Sequence, residues 1–139
     1  MSSPRHQARE AALRALYLWE VGGTGPTEAL ETYFAEHQPD ATEPVRAFAK
    51  TLVLGTTADV TELDALITKA SEHWRIERLA IIDRMILRMA TWELQHAPDT
   101  PAAVVLNEAL ELARTFSTEE SVKFINGVLD AIRKKLEVK

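Results

Sequence analysis

Two arginines, Arg5 and Arg9, open the first helical run, with His6 and Gln7 between them. A spacing of four puts both guanidiniums on one helix face. Cations there oppose the positive end of the helix dipole and cost about a few tenths of a kcal/mol. The same helix end offers N–H groups without intrahelical partners, so arginines and amides together can face one phosphate. The alternative is a solvated, frayed terminus. Two aromatics have charged neighbours. Phe124 follows Lys123 and lies off the inward stripe of its helix, where a ring can stack on an unpaired base. Tyr17 falls on an apolar stripe, so a buried ring with a wet hydroxyl competes with stacking there. A third group, Glu77, Arg78, Asp83, Arg84 and Arg88, is expected to form the mixed-charge outer face of a long fifth helix. Such a face is either a solvated salt-bridge lattice or a docking surface for a protein.

Catalytic constellations are missing from the pattern. The chain has no cysteine, which excludes disulfides, thiolate zinc sites and thiol nucleophiles. His6, His37, His73 and His96 are scattered, without zinc-ligand spacing. One Glu-x-x-His pair, Glu93 and His96, lacks the second pair and facing carboxylates of a di-iron bundle. Glu108 and Glu111 share one helix, whereas catalytic carboxylates flank a substrate from separate elements. The Gly22-Gly23-Thr24-Gly25 cluster has neither a preceding strand nor a following lysine. The expectation is a binding protein with no catalytic residue, metal or cofactor.

The elements that must carry these residues read as helices throughout. The chain has 139 residues, 46% hydrophobic and 27% charged, enough for one domain with a core of its own. Apolar residues recur at 3.6-residue spacing: Leu13, Leu16 and Tyr17; Leu30, Tyr33, Phe34 and His37; Val45, Phe48, Ala49, Leu52 and Val53; Leu63, Leu66, Ile67 and Ala70. The series continues with Leu79, Ile82, Met85, Ile86, Met89 and Ala90; Val105, Ala109, Leu112, Ala113 and Phe116; and Val122, Ile125, Val128, Leu129 and Ile132. Breaks fall at Gly22–Pro26, at Pro39-Asp40, at the Trp74-Arg75 turn and at His96–Pro101. Thr27, Thr61 and Thr100 are expected to open helices, and Ser117 with Glu120 is spaced as a capping box. Gly55 is a candidate bend or stop, and the mid-helix Asn126-Gly127 suggests close packing of another backbone or a ligand. The fold class is therefore all-α, about seven helices with short loops and no strand. The net charge is −5, and residues 15–72 hold ten acids against three bases. Positive charge gathers at the two ends: Arg5, Arg9 and Arg14 against Glu10, then Lys123, Arg133, Lys134, Lys135 and Lys139 against Asp130 and Glu137. If the ends meet, they form one basic patch on an acidic body. With no apolar signal core or spanning segment in this sequence, a cytoplasmic protein without membrane contact is expected.

The order of motifs then carries a resemblance. Arg5-x-x-x-Arg9-Glu10 leads into Ala15-Leu16-Tyr17-x-Trp19; Trp74 follows, then Ile82-Asp83-Arg84-Met85-Ile86-Leu87-Arg88-Met89-Ala90 with Glu93-Leu94. Next come Pro101, Val104 and Asn107-Glu108-Ala109-Leu110-Glu111-Leu112-Ala113, and last Ser121-Val122-Lys123-Phe124-Ile125-Asn126-Gly127-Val128-Leu129-Asp130. Over nearly the whole chain this resembles the NusB family of bacterial transcription antitermination factors. The resemblance implies two packed helical subdomains forming a single RNA-binding domain over residues 1–139. It implies binding of single-stranded boxA RNA in ribosomal RNA leaders, as a heterodimer with the ribosomal protein NusE, within an RNA polymerase complex holding other Nus factors. The positions matching the family's RNA contacts are Arg5, His6, Arg9, Tyr17, Glu120, Lys123 and Phe124; those matching its NusE-facing surface are Glu77, Asp83, Arg84 and Arg88.

The chain departs from the family in one respect. Well-known members carry a denser arginine run where this chain has Arg5-His6-Gln7-Ala8-Arg9, which implies weak RNA binding without the partner. Family members also differ in being monomers or homodimers. The same module precedes a cofactor-binding domain in some RNA cytosine methyltransferases, a domain for which this length leaves no room. The alternative from another class is a helical adaptor with no RNA role, for which the Arg5/Arg9 face would be dispensable.

Overall fold

The computed structural model describes residues 3–72, 75–97 and 99–137. Seven α-helices occur among them: α1 (Pro4–Gly22), α2 (Pro26–His37), α3 (Glu43–Ala58), α4 (Val60–Ser71), α5 (Ile81–His96), α6 (Ala102–Phe116) and α7 (Glu119–Glu137). A short 3-10 turn, Ile76–Arg78, precedes α5, and no strand occurs among the described residues. No described helix is long and apolar enough to cross a membrane. Trp74, His73 and Pro98, which carried part of the motif pattern and two of the breaks, lie outside the described residues. The chain divides into two compact units, residues 1–58 and 59–139.

In the first unit α1 packs on both α2 and α3, and α2 packs on α3. Ala8, Ala11, Ala12 and Ala15 are fully buried, and their small side chains let the neighbouring helices come close while Leu13 and Leu16 fill the remaining space. Gly22 ends α1, and Gly23 follows at φ 70°, a left-handed conformation that costs glycine little. Pro26 starts α2 with Gly25 before it, so Thr27 sits inside the first turn and not at the cap. His37, expected on the inward stripe, is exposed, with its ring 5.2 Å from that of Tyr33. The α2–α3 loop is held by one side chain: Arg46 donates from Nε to the Ala41 carbonyl at 3.0 Å and from Nη2 to the Pro39 carbonyl at 2.9 Å. Gly55 does not end its helix, because α3 runs on to Ala58.

In the second unit α5 is central: α4, α6 and α7 all pack on it. Every residue from Met85 to Thr91 is buried. A helix surrounded in this way has almost no outer face. The expectation that Asp83 and Arg88 belong to a solvated charged face is therefore wrong: each is 6% exposed. Glu77 and Arg78 do not extend that helix either, since they lie in the 3-10 turn before it. Arg88 instead spans to α4, donating from Nε to Asp64 Oδ1 at 2.7 Å and from Nη2 to Asp64 Oδ2 at 2.8 Å. That two-pronged geometry fixes direction as well as charge.

Three further helix starts differ from expectation. Asp59 and not Thr61 stands at the cap of α4, which begins at Val60. Pro101 and not Thr100 occupies the cap position of α6. At α7 the capping residue is Thr118 and not Ser117: Ser121 N–H donates to Thr118 Oγ1 at 3.0 Å. Ser117 is released for another role. At Gly127 the close approach of another backbone, one of the two expectations there, does not occur among the described residues, for a Cβ placed there meets nothing within 4 Å.

Two stability measurements follow. Arg88→Ala strands the half-buried Asp64 carboxylate and should cost about 2–4 kcal/mol in urea unfolding, with Arg88→Lys recovering only part because an ammonium cannot make the two-pronged pair. A loss below about 0.5 kcal/mol would mean the pair carries no stability. Gly127→Ala should stabilise the chain by about 0.5–1 kcal/mol, since the helix gains propensity and loses no space. Destabilisation would show that the open space is needed in the folded chain itself.

Candidate functional site

The described candidate residues fall into two groups, one in each unit. In the first unit Ser3 caps α1, its Oγ accepting from His6 N–H at 3.1 Å, and Pro4 occupies the first turn. One of the amides expected to be open to an anion is therefore already taken. Arg5 is exposed, and its guanidinium lies 3.8 Å from the centroid of the Phe48 ring. Arg9 lies 5.4 Å from the same ring but is only 3% exposed. Both arginines do share one face, as their spacing requires, and Phe48 on α3 is what they share. The outer of the two presents its charge to solvent over an aromatic plate, while the inner is enclosed. A guanidinium stacked on a ring gains about 0.5–1 kcal/mol at an exposed site and keeps its donor edge available. Phe48 was assigned only to the inward stripe of its helix; the pairing of two arginines at a spacing of four was the available hint that an aromatic faces them.

Tyr17 departs from its stripe. It is 39% exposed, beside the exposed Leu18 and Val21 on the second half of α1. The ring is accessible for stacking, and the buried alternative does not hold. Arg14 has its guanidinium 5.8 Å from the Tyr33 ring and 3.9 Å from the Glu10 carboxylate. Burial, and then the Glu10 charge, raise the Tyr33 pKa above that of an ordinary tyrosine.

In the second unit, Glu120 and Lys123 are exposed on the first turns of α7, and Phe124 is half-buried beside them. Phe124 lines a cavity of about 230 Å³ together with Leu79, Ala80, Asp83 and Ser121. Arg78 and Glu120 stand at the same cavity, so a residue expected to face a protein partner and residues expected to face RNA border one space. Asp83 does not project from this wall; its carboxylate accepts from the Ser117 and Ser121 hydroxyls. Ser117 and Ser121 were not singled out from sequence as side-chain ligands, although their spacing of four near a helix start was visible. Arg84 is half-buried, and Arg88 is committed to Asp64.

Two of the bases at the end of α7 are paired with carboxylates, and Lys139 lies outside the described residues. Arg133 Nη2 donates to Asp130 Oδ1 at 2.7 Å and its Nη1 to Glu137 Oε2 at 3.0 Å, while Lys134 Nζ lies 3.2 Å from Asp130 Oδ2. Glu93 and His96 do not converge: Glu93 is buried, and His96 is exposed with Nε2 3.4 Å from Asp59 Oδ2. No group of three or more metal-ligating side chains occurs among the described residues.

Comparison with known proteins places this geometry. The sequence profile of the NusB family matches residues 6–134. A transcription antitermination protein NusB from Sorangium cellulosum is 43% identical over 132 residues, covering 95% of this chain and 93% of the relative. The solved NusB of T. maritima superposes with a TM-score of 0.88 at 33% identity, covering 97% of this chain and 94% of the other. A chain from a crystal structure of the antitermination factors NusB and NusE in complex with double-stranded RNA gives a TM-score of 0.88 at 30% identity, covering 97% and 99%.

The Asp130 cluster can be checked by titration. Hydrogen bonds from Arg133 first and Lys134 second hold the Asp130 carboxyl below its ordinary pKa. Its contribution is thus fully present above the ordinary aspartate range and is lost as pH falls through its own lower pKa. An NMR titration should place Asp130 below a normal aspartate, and Arg133→Gln should move it upward. An unchanged midpoint in the variant would remove Arg133 as the cause.

Proposed function

Because the chain belongs to the NusB family, we propose that it is a transcription antitermination factor that binds boxA-type RNA of ribosomal RNA leaders together with a NusE-type ribosomal protein. On this reading the protein acts in the bacterial cytoplasm, in the complex that holds RNA polymerase and the other Nus factors. The observation that carries the RNA assignment is the accessible pair of a cation and an aromatic in each unit. Arg5 is stacked on Phe48 at the start of α1, whose second half exposes Tyr17, and Lys123 is next to Phe124 on α7.

Each pair supplies the two elements that hold an unpaired strand: a charge for the phosphate and a ring for the base. Stacking of one base on an aromatic is worth about 1–3 kcal/mol by alanine substitution. Each phosphate neutralised on a single strand adds about 0.7 to the salt slope. Arg5 and Lys123 are exposed cations, whereas Arg9 is enclosed and Arg133 and Lys134 are engaged with carboxylates. The electrostatic term is therefore small, and useful affinity depends on the partner. We assign the direct contacts to Arg5, His6, Tyr17, Glu120, Lys123 and Phe124, with Arg9 supporting Arg5 from beneath. Glu77, Arg78 and Arg84 are the charged residues around the start of α5 left to meet the NusE-type protein. Arg88 stabilises the unit from within through Asp64.

Fluorescence anisotropy with a boxA-like single strand and the matching duplex, at two salt concentrations and with or without the NusE-type protein, tests the reading. Salt-sensitive binding of the single strand that tightens with partner should fall about tenfold in Phe124→Ala, the equivalent of one lost base stack. Phe48→Leu should weaken binding less, through loss of the plate under Arg5. Partner binding with no RNA signal in the wild-type chain would leave a helical adaptor, and preference for the duplex would remove the stacking role of the aromatics.

A further inference from the structure

Asp83 is the residue whose placement departs furthest from its apparent role. It lies in the first turn of α5 and is 6% exposed, so it offers almost no surface to a partner. Each of its carboxylate oxygens is occupied from inside: Ser117 Oγ donates to Oδ1 at 2.6 Å, and Ser121 Oγ donates to Oδ2 at 2.6 Å. Hydroxyl-to-carboxylate bonds of this length are among the stronger hydrogen bonds in proteins. The positive end of the α5 dipole faces the same carboxylate and favours its charge. Ser117 closes α6, and Ser121 stands in the first turn of α7, between Glu120 and Lys123. The Thr118 hydroxyl extends the chain, donating to Ser121 Oγ at 3.1 Å while its oxygen accepts Ser121 N–H at 3.0 Å. One carboxylate on α5 thus fixes both sides of the turn from which α7 starts.

We propose that Asp83 is a positioning residue: through Ser117 and Ser121 it sets the turn of α7 that carries Glu120, Lys123 and Phe124, and so links what docks before α5 to RNA affinity. The inference rests on the RNA reading above. The link follows from connectivity. The 3-10 turn bearing Glu77 and Arg78 is joined to the first turn of α5 by only Leu79 and Ala80, and Arg78, Asp83, Glu120 and Phe124 border one cavity. A partner that settles the 3-10 turn settles Asp83, and Asp83 holds the start of α7. Partner docking can then tighten RNA binding without the partner touching RNA, by reducing the freedom of a segment that RNA must otherwise order.

The test compares Asp83→Ala, Asp83→Asn and Ser121→Ala with the wild-type chain, each checked for cooperative unfolding. Four quantities are read: affinity for the NusE-type protein alone, affinity for the boxA-like single strand alone, the gain in RNA affinity on adding partner, and amide hydrogen exchange across residues 117–124. Asp83→Ala should leave partner affinity within about twofold and weaken RNA binding about tenfold, comparable to one charge-assisted hydrogen bond. The partner-induced gain should shrink, and exchange should rise in 117–124 more than in the rest of the unit. Asp83→Asn should recover part of each change, because an amide oxygen still accepts from one hydroxyl. Ser121→Ala is the milder variant if Asp83→Ala does not fold, and it should move the same readouts in the same direction. Lost partner affinity with unchanged RNA affinity and exchange would make Asp83 a docking contact and overturn the proposal. Unchanged values in all four would overturn it too. Raised exchange in 117–124 in a chain whose wild type binds no RNA would keep the Asp83 link to α7 and reject the RNA reading instead.

Discussion

A helix buried on nearly every side must find internal partners for its polar residues, and α5 is such a helix. Leaving a buried charge unmatched costs several kcal/mol, so each charged position on α5 dictates what must stand opposite. Arg88 requires a carboxylate on α4 and finds Asp64. Asp83 requires donors where α6 meets α7 and finds two serines. The apolar neighbours Met85, Ile86 and Leu87 supply the driving force for burial but little direction. The polar pairs supply the direction, specifying which helix lies on which side. The accessible start of α7 is one consequence, because its first turn is tied to the helix that the rest of the unit encloses.

The first unit solves a simpler problem by different means. A seam of alanines along α1 brings two helices close, and Phe48 remains only partly covered at its edge. That partial cover lets a ring from α3 hold the exposed guanidinium of Arg5 on α1. Side-chain order there comes from an aromatic plate and not from a carboxylate, which leaves the arginine's charge uncancelled for an anion. At the end of α7 the opposite holds, since Asp130 and Glu137 occupy the donors of Arg133. The contrast shows why local pairing and not the count of basic residues decides what a surface can attract.

The helices were legible from the chain because their apolar spacing is regular, and the buried residues of α6 and α7 follow the stripes read from sequence. Boundaries shifted by one or two residues, as where Thr118 and not Ser117 caps α7 and where Asp59 and not Thr61 stands at the cap of α4. The family was legible too, through the Asn107–Ala113 and Ser121–Asp130 runs. What periodicity could not show was the difference between a charged outer face and a charged residue matched across the core. Asp83 and Arg88 look solvated in one dimension, and only their partners, 34 and 24 residues away in sequence, reveal otherwise. Phe48 beneath Arg5 and the open space at Gly127 were hidden for the same reason: both depend on what a distant helix places nearby.

The central claim is that RNA is held along α1, from Arg5 to Tyr17, and at the start of α7. Ultraviolet cross-linking of a boxA-like single strand to the wild-type chain bound to its NusE-type partner, with the linked residues mapped by mass spectrometry, tests it most directly. The account predicts cross-links at Tyr17 and Phe124 and in the adjoining peptides that carry Arg5 and Lys123. Cross-links confined to α2, α6 or the far end of α7 would contradict it.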